Sequence, residues 1–295
     1  MFNKPTLIIN PPNSGLIQQL RAITNNAIAI VLTTFILMAC GGGGSGKEMA
    51  VVEPPTALHT TVPGAYLGSL EGKEWVSILI RSAENSSNFS NFYGMHYNSP
   101  DPDIYSASGE IFDLKNTSIN RINFFPNTSG TVRSGSGTFT NLGHSTIRAV
   151  FNFPVTGLER EKNVAVNASV PGTYQYNLPA NLANVQGVWQ GRWSYGVGFA
   201  DNFALNISAQ GTMTSASAFQ QDCLFTQSSL RPNFDGTNLF TFTLAIPNAT
   251  QCSLKNQILN GAAFVTISPV VGKSSRLYII GVTSDGRGVS FRSDR

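Results

Sequence analysis

The sequence predicts an all-β protein made of two tandem antiparallel β-barrel modules, with β-sandwiches as the alternative architecture. Three observations lead to this prediction. Charged residues make up only 12% of the chain, which holds 28 glycines and 15 prolines. From residue 64 onward the apolar runs are short, alternating and closed by Gly, Asn, Pro or Ser, and none keeps helical spacing. The second half of the chain also repeats a motif of the first half.

The repeated motif has the form Gly, small or apolar residue, aromatic residue, any residue, Gly. It occurs as Gly64-Ala65-Tyr66-Leu67-Gly68 and again 123 positions later (187 − 64) as Gly187-Val188-Trp189-Gln190-Gly191. An alternating strand pattern follows each copy, at residues 75–80 and at 203–208. This repetition suggests two modules related by duplication.

The strand pattern can be followed through both modules. In the first, strands are predicted at residues 75–80, 89–97, 105–112, 119–125 and 146–153. In the second, they are predicted at residues 188–195, 203–208, 211–217, 223–229, 239–246, 261–267, 276–282 and 289–292. Eight strands close into a small barrel, which removes exposed sheet edges and has an interior that holds side chains or one small ligand.

Composition divides the chain into five segments. They are a signal peptide at residues 1–39, a Gly/Pro-rich tether at 40–61, the first β module at 62–170, a linker at 171–184 and the second module at 185–295. Residues 27–39 are an uncharged run of thirteen, too short to cross a bilayer as a helix but suited to the apolar core of a signal peptide.

The residues at the end of this run resemble a known processing signal. Leu37-Met38-Ala39 precedes Cys40 and resembles the lipobox of bacterial lipoproteins, which implies cleavage before Cys40 and a lipid on its sulfur. Gly and Ser fill positions 41–46, as a flexible tether requires. The alternative is a buried core segment that ends at a cysteine. Gly41, where a retention signal would have Asp, favours the outer membrane, on either its periplasmic or its surface face.

The other two cysteines form an even pair. Export to a disulfide-permissive compartment predicts a bridge between Cys223 and Cys252. It would close a loop of about 30 residues and contribute roughly 3 kcal/mol. Two free buried thiols are the alternative.

A wider resemblance covers most of the mature chain. The residues that carry it are Gly187-Val188-Trp189-Gln190-Gly191, Ile207, Gly211, Cys223, Asn238-Leu239-Phe240, Cys252 and Gly261. With the cysteine and its glycine tail, they resemble a group of proteobacterial outer-membrane lipoproteins with tandem β modules. Gly187, Trp189 and Gly191 are the barrel signature. Gly187 and Trp189 also resemble the first strand of lipocalin-like barrels, in which a late arginine, here Arg276 or Arg292, packs over the indole.

The polar residues predict no reaction centre. His59 lies in the tether, while His96 and His144 lie beside turns and are interpreted as surface residues. Asp101 and Asp103 could suggest a cation site, but the prolines beside Asp101 favour a rigid turn. With no basic run, no cofactor motif and no nucleophile motif, we expect neither nucleic-acid binding nor a metal, cofactor or enzymatic activity. The expected function is binding of a protein or other surface partner through loops. The alternatives are carriage of a small apolar ligand and a purely structural envelope role.

Overall fold

The computed structural model describes residues 63–81, 90–98, 101–110, 116–126, 129–143, 145–154, 162–171, 178–195, 198–215, 225, 227–248 and 252–295. All of them belong to one compact unit, which spans Thr56–Arg295. No helix among these residues is long and apolar enough to cross a membrane.

The first half of this unit is a closed, antiparallel, eight-stranded barrel. Its strands are β1 (Gly64–Leu70), β2 (Lys73–Arg81), β3 (Ser90–Asn98), β4 (Asp101–Glu110), β5 (Asn116–Phe125), β6 (Arg133–Gly143), β7 (Thr146–Phe153) and β8 (Lys162–Ser169). Each strand pairs with the next, and β1 pairs with β8, where Gly68 lies opposite Ala168.

The second half forms another antiparallel sheet of eight strands, preceded by a short 3-10 helix at Leu182–Asn184. Its strands are β9 (Gly187–Tyr195), β10 (Gly198–Ile207), β11 (Met213–Ser215), β12 (Gln227–Pro232), β13 (Phe240–Ile246), β14 (Gln257–Ile267), β15 (Ser275–Val282) and β16 (Gly288–Asp294). The first strand, β9, pairs with the last, β16. Between β11 and β12 the sheet curls round on itself through a bridge that joins Thr212 to Ser229.

The predicted fold class, two tandem β-barrel modules, is therefore confirmed, and neither module is a sandwich. All eight strands predicted in the second module are present, although β10 and β14 begin several residues earlier than expected. In the first module β1, β6 and β8 were not predicted as strands. Strand β6 escapes the apolar pattern because Gly135 and Gly137 leave room for aromatic rings: a Cβ there would lie 2.6 and 2.5 Å from Cδ1 of Phe153 and Phe151.

Both interiors are filled by the side chains that alternate inward along the strands. In the first barrel the fill is aromatic: Tyr105 stacks on Phe124 with 4.9 Å between ring centroids, and Phe92 meets Phe139 edge-on at 4.9 Å. In the second barrel Trp193 stacks on Phe203 at 5.5 Å. Such close aromatic pairs stabilise a core beyond the area they bury.

A third apolar cluster, the seam, joins the outer faces of the two barrels. Its members from the first barrel are Ala65, Val76, Ile78, Ile80, Tyr93, Met95, Tyr97, Ile104 and Phe125, and those from the second are Leu239, Ala262, Phe264, Tyr278, Ile280 and Val282. Ile78 and Ile280 are both fully buried. Burying a side chain of this size contributes about 1.5–3 kcal/mol, so the seam holds the barrels together as one body.

The signal for the seam is present in the sequence. Strands that face water on the outside of a barrel alternate, as β7 and β8 do, with every second residue exposed. By contrast, residues 75–80 of β2 and 276–282 of β15 are buried at every position. Apolar residues at consecutive positions, as at 78–80 and 277–280, mark a strand that is covered on both faces.

Candidate functional site

The predicted barrel signature closes one end of the second barrel. Trp189 is fully buried in β9, and its indole Nε1 donates a hydrogen bond to the carbonyl oxygen of Val185 at 2.7 Å. An arginine does pack over this indole, as the lipocalin-like resemblance implies, but it is Arg295, whose guanidinium carbon lies 4.0 Å from the ring centroid. The expectation that Arg276 or Arg292 fills this role is wrong.

Arg295 also fixes the segment that leads into the barrel. Its Nη1 donates to the carbonyl of Gln186 at 2.7 Å, and its Nη2 donates to that of Asn184 at 2.9 Å. The chain then turns into β9 at Gly187, which has a φ of +107°, a value that favours glycine. Trp189 and Arg295 therefore close this end of the barrel, and their role is structural.

The two copies of the motif occupy equivalent places in the two barrels. Tyr66 and Trp189 both point into the barrel interior. Gly68 in β1 and Gly191 in β9 both lie against the last strand of their barrel: a Cβ would lie 2.3 Å from the carbonyl oxygen of Asn167 in one case and 2.1 Å from that of Arg292 in the other. The motif therefore marks the place where the first strand of each module pairs with its last strand.

Arg276 and Arg292 act instead at the edge of the seam, where both reach Glu74 of the first barrel. Arg292 Nη1 donates to Glu74 Oε2 at 2.6 Å, and Arg276 Nη1 donates to Oε1 at 3.3 Å. The hydroxyl of Tyr278 donates to the same Oε1. One carboxylate of the first barrel thus accepts three hydrogen bonds from the second.

The arginines are themselves held in place. Asp294 accepts from Arg276 Nε at 2.7 Å and from its Nη2 at 3.0 Å, a bidentate pair. Burial opposes ionisation of Asp294, but the bonds from Arg276 and Ser268 outweigh it and hold the pKa below its usual value. Arg292 lies over the ring of Tyr97, with 3.9 Å between its guanidinium carbon and the centroid. Burial raises the pKa of Tyr97, which keeps that phenol neutral.

A second polar group, the mouth cluster, lies inside the first barrel at one end and consists of His96, Asp103, Tyr105 and Lys162. His96 is near the end of β3, Asp103 near the start of β4 and Lys162 at the start of β8, so the antiparallel order brings them to the same end. His96 is only 1% exposed, so its interpretation as a surface residue is wrong.

The contacts of the mouth cluster cross the barrel. Lys162 Nζ lies 2.8 Å from Asp103 Oδ2 and 4.3 Å from the centroid of the Phe124 ring. Asp103 is thus engaged by a lysine and does not form the cation site considered from the sequence. Asp101 pairs through its backbone with Asn98, and its side chain lies outside the described part.

Other predicted residues have no described position. Cys40, His59, His144 and Cys223 lie outside the described residues, so the lipid anchor and the disulfide remain predictions. Cys252 is described and buried, and its Sγ accepts a hydrogen bond from the amide of Leu254 at 3.4 Å. Within the described ranges, no group of three or more His, Cys, Asp or Glu side chains is placed to hold a metal.

Taken together, the fold and these clusters define a double-barrel β protein with aromatic-filled interiors and a polar-edged seam. Comparison of the chain with protein-family models, with curated proteins and with solved structures found no match.

Proposed function

We propose that this chain is an outer-membrane lipoprotein, anchored by a lipid on Cys40, that binds a protein partner through the loops of its second barrel. The apolar run before Cys40 and the glycines after it support the anchor. The predicted bridge from Cys252 to Cys223 belongs to the same proposal. The burial of Cys252 supports the bridge.

A cluster of exposed apolar side chains carries the binding proposal. The apolar end of the second barrel consists of Leu178, Val188, Phe234, Ile267, Val270 and Val271. These residues lie in or beside the segments that meet at one end of the barrel, namely the approach to β9, the β12–β13 turn and the β14–β15 hairpin. Val271 is 99% exposed at the tip of that hairpin. Exposed apolar side chains gathered in one place are typical of an interaction surface.

The charges nearby indicate the chemistry of the partner. Arg231 and Lys273 are exposed at the same end, whereas the carboxylate of Asp235 accepts hydrogen bonds from Thr237. A protein patch that is apolar at its centre and acidic at its rim complements this surface. Polar turn residues separate the apolar ones, which suits a protein interface better than hydrocarbon, where their backbone groups would remain unpaired.

The alternatives receive less support. A carrier of a small apolar ligand needs a barrel interior free for the ligand, whereas the inward positions of the second barrel hold its own aromatic and aliphatic side chains. A purely structural role does not account for an exposed Val270-Val271 pair on a hairpin tip.

The experiment replaces both valines with serine in the full chain. Cross-linking on cells, followed by mass spectrometry, should recover a protein partner with the natural protein and lose at least about nine-tenths of it with V270S/V271S, because hot-spot residues carry most of the binding energy. The matched control is L142S/V150S, which alters exposed aliphatic residues of the first barrel and should leave recovery unchanged. Equal recovery with both variants, or binding only to anionic lipid vesicles, would contradict the proposal.

A further inference from the structure

Two polar atoms of the mouth cluster are fully buried and have no hydrogen-bond partner in the described part of the chain: His96 Nδ1 and the hydroxyl of Tyr105. Both rings lie beside Trp75, with 6.2 Å between the centroids of Trp75 and His96 and 5.0 Å between those of Trp75 and Tyr105. Trp75 itself is satisfied, since its Nε1 donates to Ser77 Oγ at 2.6 Å. A buried polar atom without a partner is costly. Here two such atoms flank the same indole at one end of the barrel, where an outside group that satisfied both would be favoured.

The hydrogen-bonding capacity of the two atoms defines the group that would fit. His96 Nε2 lies 3.0 Å from the carbonyl oxygen of Leu70, which can only accept, so Nε2 carries a proton. In the imidazole tautomer with that single proton, Nδ1 is an acceptor. Burial, with the charges of Asp103 and Glu71, raises the pKa of Tyr105, so its hydroxyl stays protonated and can donate. A complementary group must therefore donate to one atom and accept from the other. A hydroxyl does both.

A charged pair lies at the same end of the barrel. Asp103 has a side chain that is 8% exposed, whereas that of Lys162 is 29% exposed, so Lys162 is the member that meets solvent. An ammonium group has three donors, and the bond to Asp103 uses one of them. Two donors of Lys162 therefore remain for the other hydroxyls of a molecule bound at this end of the barrel.

We propose that the mouth of the first barrel binds a small polyhydroxylated molecule of the sugar or polyol class, with one hydroxyl held between His96 Nδ1 and the Tyr105 hydroxyl and its neighbours held by Lys162. This site lies in a different barrel from the apolar end, and it depends neither on the lipid anchor nor on a protein partner.

The full chain is kept in a detergent without a sugar headgroup and is titrated separately with D-glucose, D-galactose, N-acetyl-D-glucosamine and glycerol. The heat of binding is measured by calorimetry. At least one of them should bind saturably. Tyr105→Phe should weaken that binding about tenfold, the worth of one hydrogen bond. The matched control is Tyr93→Phe, which removes a hydroxyl from a buried tyrosine of the neighbouring strand that faces the seam, and it should bind as the natural protein does.

Thermal unfolding without ligand separates this site from a structural role. Because the Tyr105 hydroxyl has no partner among the described residues, Tyr105→Phe should leave the Tm unchanged or raise it. Lys162→Gln, which keeps the stem of the side chain, should weaken binding as well. Three results would overturn the proposal: no binding by any of the four compounds, equal binding by Tyr105→Phe and the natural protein, or a lower Tm for Tyr105→Phe, which would place a structural water on that hydroxyl.

Discussion

Replacing Gly191 with alanine is expected to destabilise the protein by about 3 kcal/mol or more, because the new methyl group meets backbone that cannot move aside. The added Cβ would lie 2.1 Å from the carbonyl oxygen of Arg292 and 2.7 Å from Cβ of Ser293, both in β16, the strand paired with β9. For a domain of this size the loss corresponds to a Tm lowered by about 10 °C. Gly68→Ala should act in the same direction, since its Cβ would lie 2.3 Å from the oxygen of Asn167.

A matched control comes from a glycine in an open turn. Gly72 has a φ of +74°, and a Cβ there would meet nothing within 4 Å. Asparagine tolerates this backbone conformation, so Gly72→Asn should cost less than about 1 kcal/mol. Thermal unfolding followed by circular dichroism would check all three variants. A Gly191→Ala protein as stable as Gly72→Asn would show that the backbones of β9 and β16 are not in close contact at Gly191.

Glu74→Ala is the substitution with the second largest expected effect, about 2 kcal/mol, because it takes one carboxylate away from Arg276, Arg292 and Tyr278 at once. The loss is moderate because these groups are partly screened by solvent: the Glu74 side chain is 23% exposed and that of Arg292 is 32% exposed. Since the bonds cross from one barrel to the other, the variant should also separate their unfolding.

The measurement is urea unfolding followed by tryptophan fluorescence, with Trp75 in one barrel and Trp189 and Trp193 in the other. The natural protein should give one transition, and Glu74→Ala an earlier transition that is broadened or split. Asp201→Ala is the control, because Asp201 is 53% exposed and its partner, Arg192, belongs to the same barrel. An exposed pair contributes about 0.2–1 kcal/mol. Two separate transitions in the natural protein would contradict a seam that joins the barrels.

The sequence predicts the number and kind of modules because barrel strands leave a local signature, an apolar residue at every second position closed by turn residues. It does not predict what joins distant strands. Glu74 and Arg292 are 218 residues apart, and nothing near either one indicates the other. The lipocalin-like resemblance therefore points to Arg276 or Arg292 as the arginine over Trp189, whereas Arg295 covers it in the structure.

The mouth cluster shows a second limit of the same kind. His96 has polar and turn-forming residues after it, which made it resemble a surface residue, and only its position opposite Trp75 and Asp103 places it inside the barrel. Register between strands decides which face a residue occupies, and a shift of one position reverses it. A long-range pair such as Lys162 and Asp103 follows from closure of the barrel, which no single segment encodes.

Export and lipid anchoring of this double barrel are tested together by intact-mass and peptide mass spectrometry of the protein purified from bacterial membranes. We expect a chain that begins at Cys40, with acyl groups on that residue, and a non-reduced peptide that joins Cys223 to Cys252. A chain that retains residues 1–39, with an unmodified thiol at Cys40 and recovery in the cytosolic fraction, would contradict the account.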